Sequence, residues 1–151
     1  MILKQIITLV VLAIATTGFA QESQGLRTDG LYHAKTGVIE IPNNNMDIYT
    51  YLKFTDDGTV YTQAVSGFAP QKVAVWLGAQ GGRHEYKGTY ALNGQELSFG
   101  VDNNASPDKS LEGAKQNSYA GTITAQNTLV LTLTYHDGEQ EEFVFEFTPK
   151  D

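Results

Sequence analysis

The chain has 151 residues, with 17 acidic and 10 basic side chains, no cysteine and a formal net charge of −7. So few basic groups argue against nucleic acid and against anionic membranes as partners, because an acidic chain repels phosphate. Without cysteine there is no disulfide, no thiol nucleophile and no thiolate metal ligand, so the fold must be stabilised by a hydrophobic core.

Residues 1–20 have the layout of a secretory signal peptide. A lysine near the start precedes an apolar run over residues 6–15, and Gly18 and Ala20 are the small residues that a cleavage site needs. The apolar run is about half the ~20 residues of a membrane-spanning helix. We therefore expect cleavage after Ala20, export to the periplasm or the extracellular space without membrane insertion, and one domain over residues 21–151.

Alternation of apolar and polar side chains dominates the rest of the chain and predicts an antiparallel sheet with one apolar face. The clearest example lies near the end, where Phe143, Phe145 and Phe147 fall on one face. Residues 35–46 and 102–116 are polar and predict loops. The predicted strands cover about residues 28–34, 47–55, 59–66, 84–92, 95–102, 117–125, 128–136 and 140–148.

Glycine-containing turns connect several of these strands. Asn93-Gly94 predicts a two-residue hairpin turn, which would place Tyr90 opposite Leu97. Asp56-Asp57-Gly58 and His136-Asp137-Gly138 predict three-residue loops with glycine in the left-handed conformation. These turns keep the apolar sets of neighbouring strands on the same face of the sheet.

One segment departs from the alternation. Residues 70–77 begin with proline and are followed by glycine, and Val73, Trp76 and Leu77 share one face of a helix. Val75 also alternates with its neighbours, so a strand is the competing interpretation, and the two end signals favour the helix. We expect this short helix to cover one end of the sheet structure, with Trp76 buried beneath it.

The strands follow one another without helical crossovers, which predicts an all-β, eight-stranded antiparallel up-and-down barrel, because closure removes both exposed edges. Gly30-Leu31-Tyr32 is similar to the Gly-x-Trp signature of lipocalins, with tyrosine in place of tryptophan. Residues 52–60 and 119–123 are similar to stretches common in exported bacterial barrels. Over residues 29–148 the chain resembles the small lipocalin-like (calycin-type) barrels of uncharacterised function found among exported bacterial proteins.

The sequence offers no constellation for catalysis or for a metal. His33, His84 and His136 lack the close spacing of metal ligands. Residues 102–108 carry oxygen side chains at alternate positions, but proline stands where a calcium loop needs glycine. No nucleophile motif is present either. We therefore expect a protein that is not an enzyme and that needs no cofactor.

Aromatic side chains on the predicted inner face are the features that point to a function. A barrel of this size is either filled by side chains or holds one small ligand, and strand count leaves both open. The first hypothesis is a non-catalytic binding protein for a small apolar or amphipathic ligand. The alternative is a secreted interaction or inhibitor module acting through loops 35–46, 79–83 and 102–116. The candidate ligand-binding residues are Trp76, Tyr86, Tyr90, Phe99, Tyr119 and Tyr135.

Overall fold

The computed structural model describes residues 25–79, 86–101, 117–124 and 127–150, so the predicted signal peptide lies outside the described residues. Each strand pairs antiparallel with the next, and the last pairs with the first, which closes the sheet into a barrel. This confirms the predicted eight-stranded barrel with one short helix. The elements are β1 (Gly30–Ile41), β2 (Asn44–Phe54), β3 (Thr59–Ser66), α1 (Pro70–Trp76), β4 (Tyr86–Asn93), β5 (Glu96–Val101), β6 (Asn117–Ile123), β7 (Thr128–Thr134) and β8 (Gln140–Pro149).

The three-residue loops have the predicted form. Gly58 and Gly138 adopt the left-handed conformation, with φ of 88° and 92°. Between β2 and β3 this loop pairs Phe54 with Val60, so both side chains face the interior. Asn127 takes the same role before β7, with φ of 57°. Asparagine tolerates this region better than other non-glycine residues because its side chain can bond to nearby backbone.

The β4–β5 turn lies one residue later than predicted. Asn93 pairs with Glu96, and Tyr90 stands opposite Phe99 instead of Leu97. The two central residues of the turn are Gly94 and Gln95, and of these only Gly94 has a positive φ. This is typical of hairpin turns that need glycine at the first central position only. The pairing has moved by two residues, so every side chain stays on its predicted face.

The prediction of a loop over residues 35–46 is wrong. β1 continues to Ile41, β2 begins at Asn44, and Asn43 completes the tight turn between them with φ of 69°. The two strands remain paired along this length. Alternation fails as a signal here because most side chains beyond Gly37 are exposed on both faces of the hairpin.

The interior is densely packed at one end of the barrel, which we call the base end. This end carries the β2–β3, β4–β5 and β6–β7 hairpins. Its largest buried side chains include Tyr32, Phe54 and Phe145, each with 0% exposure. The rings of Tyr32 and Phe54 meet edge to face with centroids 5.8 Å apart. Burial of these large rings stabilises a fold that has no disulfide.

Residues before β1 close the base end. The backbone N–H of Arg27 donates to the Tyr32 hydroxyl at 3.0 Å, and the Arg27 guanidinium lies 4.1 Å from the centroid of the Phe147 ring. Gly30 lets β8 approach closely, since a Cβ at this position would lie 2.2 Å from the carbonyl oxygen of Thr148. The glycine and the tyrosine of Gly30-Leu31-Tyr32 therefore each have a structural role, one in closing the barrel and one in filling its base.

Helix α1 packs against the outside of the barrel, so the prediction that it covers one end is wrong. Its buried residues join outward-facing residues of the sheet in an outer cluster, whereas Trp76 is only partly buried at its edge. Lys53 holds the helix in place, because its Nζ donates to the carbonyl oxygen of Leu77 at 2.9 Å. The outer cluster consists of Leu31, Tyr51, Val73, Ala74 and Leu77.

Candidate ligand-binding cavity

A cavity of about 570 Å³ occupies the end of the barrel opposite the base end, which we call the cavity end. It lies among the ends of the strands that lead to the β1–β2 and β7–β8 hairpins. The volume falls within the range of ~300–1,000 Å³ typical of small-molecule sites. Its wall is formed by Thr36, Ile48, Thr50, Thr62, Gln63, Ala64, Tyr86, Val101, Asn117, Tyr119, Leu133, Tyr135 and His136.

Three of the six predicted ligand-binding residues meet in this cavity. Tyr86, Tyr119 and Tyr135 come from β4, from β6 and from the residue after β7, and all three line the wall. They converge because each continues the inward-facing set of its strand toward the same end. The barrel is therefore filled at the base end and hollow at the cavity end.

The other three predicted residues lie elsewhere. Tyr90 belongs to the base end, where its hydroxyl donates to the carbonyl oxygen of Thr55 at 2.8 Å. Phe99 separates the two regions, since its ring stacks on Tyr119 at 4.8 Å and meets Phe54 edge to face. Trp76 packs at the outer cluster and has no place in the cavity wall.

Tyr119 forms the boundary between the cavity and the packed core. Its side chain is only 6% exposed, and burial raises the pKa of its hydroxyl to about 12, although a hydrogen bond with Thr62 acts in the opposite direction. The phenol therefore stays neutral across the physiological pH range. Its ring is fixed by the stack on Phe99, so the inner end of the cavity is rigid and uncharged.

Tyr135 stands at the rim and is tied to a carboxylate. Its hydroxyl donates to Glu141 Oε2 at 2.6 Å. Burial and this hydrogen bond raise the pKa of the Tyr135 hydroxyl to about 12. A charge-assisted bond of this length holds the phenolic proton toward Glu141 and orients the ring.

Hydroxyl groups on β1, β2 and β3 complete the polar part of the wall. Thr36 Oγ1 and Thr50 Oγ1 share a hydrogen bond of 2.8 Å. Thr50 alternates in phase with Leu52 on β2, and Thr62 alternates in phase with Val60 on β3. The sequence pattern therefore already indicates that both threonines face inward. Thr36 was hidden by the incorrect loop prediction.

Gln63 could not have been found from the alternation, because it has the outward phase. It is the first residue of β3 beyond the last described pairing with β4, which joins Thr62 to Tyr86. Gln63 is among the residues that line the cavity, and its Oε1 is buried without a hydrogen-bond partner.

A second, more open pocket of about 470 Å³ lies along β4, β5 and β6, where the exposed Ala91, Ser98 and Ala120 are among its lining residues. No three His, Asp or Glu side chains come together as metal ligands in the described part of the chain. No helix among the described residues is long and apolar enough to cross a membrane. Comparisons of the chain with protein-family models, with curated proteins and with solved structures found no match.

Proposed function

We propose that this protein is an exported, non-catalytic binding protein that holds a small molecule with an apolar body in the cavity. The observation that carries the proposal is the cavity itself, which has about 570 Å³ of space and a base end closed by packed side chains. Native cores of this size rarely leave such a space without a use, because empty volume forfeits the contacts that neighbouring atoms would make.

The wall chemistry supports an amphipathic ligand. Ile48, Val101 and Leu133 provide apolar surface, while threonine and tyrosine hydroxyls provide a few hydrogen-bonding groups. Sites of this composition bury the ligand body and orient it through a small number of polar contacts. The resemblance of Gly30-Leu31-Tyr32 to the lipocalin signature favours the same function, because lipocalin barrels hold single small ligands.

Export is part of the proposal and rests on residues 1–20. A signal peptide would be removed, and the mature protein would begin at Gln21 with a charge of −8, since Lys4 leaves nine basic against 17 acidic residues. Intact mass of the protein recovered outside the cytoplasm tests this step. A mass that includes residues 1–20 would contradict it.

Uptake of a neutral apolar dye tests binding. We expect Nile red to show enhanced, blue-shifted fluorescence with the wild-type protein. Ala64→Trp places an indole in the cavity wall and should weaken this uptake at least ~tenfold. Ala69→Trp is the matched control, because Ala69 is exposed just before α1 and lines neither the cavity nor the second pocket. Equal dye binding by the two variants would show that the cavity is not the site.

A second candidate function is an interaction module, favoured by the β1–β2 hairpin. Val38, Ile39 and Ile41 are each more than 40% exposed on it. Exposed apolar groups on a projecting hairpin are typical of partner-binding surfaces. Under this alternative the wild-type protein would take up no dye, and a photo-crosslinker at Ile39 would capture one discrete protein in the exporting cell.

A further inference from the structure

The β1–β2 hairpin extends beyond its contacts with the neighbouring strands. β1 pairs with β8 only from Gly30 to His33, whereas its pairing with β2 continues to Ile41. On the other side, the described pairing of β2 with β3 ends at Ile48. Among the described residues, 38–41 and 44–47 therefore pair only with each other, and both faces of this part of the hairpin are open to contact with another molecule.

A β-bulge decides which side chains of this hairpin face inward. It lies between Lys35 and Gly37 and shifts the alternation of β1 by one residue. Ala34 faces the core before the bulge, and Ile39 and Ile41 take the inward phase after it. Without the extra residue these two isoleucines would point outward. The bulge therefore places apolar groups on the inward face.

The inward face of the hairpin continues the apolar wall of the cavity. Ile48 belongs to both, since it lines the cavity and stands opposite Gly37. A Cβ at Gly37 would lie 3.5 Å from Ile48 Cδ1, which places both residues on the same face. Further along this face, Ile39 stands opposite Met46. Positions on one face of a strand repeat every ~7 Å, so the apolar face extends ~14 Å from Ile48 to the level of Ile41.

The outward face of the hairpin is mostly polar. Lys35 Nζ and Asp47 Oδ1 form an ion pair of 2.7 Å there, and Glu40 lies on the same face. Val38 is the apolar exception, and it is 44% exposed, as is Ile39 on the inward face. Because both faces are exposed, burial within the protein does not explain why the inward face is apolar. A molecule that leaves the cavity and lies against this face would explain it.

We propose that the ligand is an elongated molecule with an unbranched apolar chain, part of which occupies the cavity while the rest lies along the inward face of the hairpin. This inference rests on the proposed function and specifies the shape and length of the ligand of the same cavity. Ile48 contacts the chain where it leaves the cavity, and Ile39 and Met46 contact its outer part. A compact ligand inside the cavity would leave Ile39 and Met46 without a contact.

Straight-chain alcohols from octanol to hexadecanol test the effect of length by displacing Nile red, each below the concentration at which it aggregates. Every alcohol has the same hydroxyl, so contacts with polar groups of the wall such as Tyr86, Asn117 and His136 stay constant across the series. Burying a methylene fully raises affinity about fourfold, and contact on one side raises it about twofold. We therefore expect the affinity to rise about twofold per methylene up to hexadecanol. No gain in affinity beyond octanol would overturn the inference.

Two substitutions at neighbouring residues locate the outer part of the chain. Ile39→Asn removes an apolar group from the inward face, so it should weaken hexadecanol binding at least ~fivefold and octanol binding less than ~twofold. Val38→Asn is the matched control, because Val38 is equally exposed on the opposite face of the same strand, and it should change neither affinity. Equal effects of the two substitutions on hexadecanol would overturn the assignment. Hexadecanol folded up inside the cavity would bind both variants as tightly as the wild-type protein, which would also overturn it.

The outcomes separate this inference from the proposed function. If Nile red and all the alcohols fail to bind, the proposed function is wrong and the inference fails with it. If octanol binds and hexadecanol binds no more tightly, or if Ile39→Asn leaves hexadecanol binding unchanged, the cavity is a site for compact ligands and only the inference is overturned.

Discussion

Replacing Phe145 by alanine tests the assignment of inner and outer faces. Phe145 is completely buried on β8, where its ring meets those of Tyr119 and Phe143 with centroids 6.4 Å apart in both cases. Emptying such a site removes the transfer free energy of the ring and leaves a void, at a cost of ~3–5 kcal/mol. A domain of this size is stable by only ~5–15 kcal/mol, so the loss is large.

Urea unfolding followed by circular dichroism measures the effect. With a denaturant slope of ~2 kcal/mol per molar, the midpoint for Phe145→Ala should fall by ~1.5–2.5 M. Val144→Ala is the control on the same strand, because Val144 is 55% exposed, and we expect it to cost less than ~1 kcal/mol. Equal costs at the two neighbours would refute the phase of β8 and with it the closed interior.

Three further predictions concern other parts of the fold. Gly88→Ala should destabilise the protein by ~1–3 kcal/mol in urea unfolding, because a Cβ there would lie 1.8 Å from the carbonyl oxygen of Gly100. Lys53→Met should loosen α1 and shift the fluorescence of Trp76 to the red, since Nζ no longer bonds to the helix end; an unchanged spectrum would contradict this. Burial holds the pKa of His33 below its ordinary value of 6.5, so the unfolded state binds the proton more readily. The free energy of unfolding therefore keeps its full value above pH 6.5 and decreases as the pH falls from 6.5 toward the folded-state pKa. A His33→Phe variant should lose less of this free energy between pH 7.5 and pH 5 than the wild-type protein does.

The barrel could be predicted because most strands have one dry face and one wet face. Leu129, Leu131 and Leu133 are buried while the residues between them are partly exposed, and this contrast is present in the sequence as strict alternation. Turn glycines predict which residues of neighbouring strands pair, because Gly58 and Gly138 occupy turn positions that need a positive φ. Both signals are local, and a closed antiparallel meander needs little else.

The position of α1 could not be predicted in this way, because it depends on a second apolar surface. The outward faces of β1, β2 and β3 carry Leu31, Tyr51 and Tyr61 among polar residues. Three large apolar groups on an outer face indicate that another element covers this face, because a face in contact with water does not need them. Alternation identifies only the inner apolar set, so it gives no position for a helix on the outside of the barrel.

Three of the six ligand-binding residues predicted from the sequence line the cavity, and most of the cavity wall was not predicted. Tyr86, Tyr119 and Tyr135 were found because they extend inward-facing sets toward one end. The emptiness of the space between them depends on the size of their neighbours across the barrel, such as Thr50 and Ala64, which no single strand reveals.

The most direct test of ligand binding in the cavity is a methyl NMR titration of the wild-type protein with octanol. The account predicts shifts for Ile48 and Leu133, which line the cavity, and none for Leu129 in the packed core or Leu77 in the outer cluster. Shifts at Leu77 without shifts at Ile48 and Leu133, or no shifts at saturating octanol, would contradict a ligand site inside the barrel.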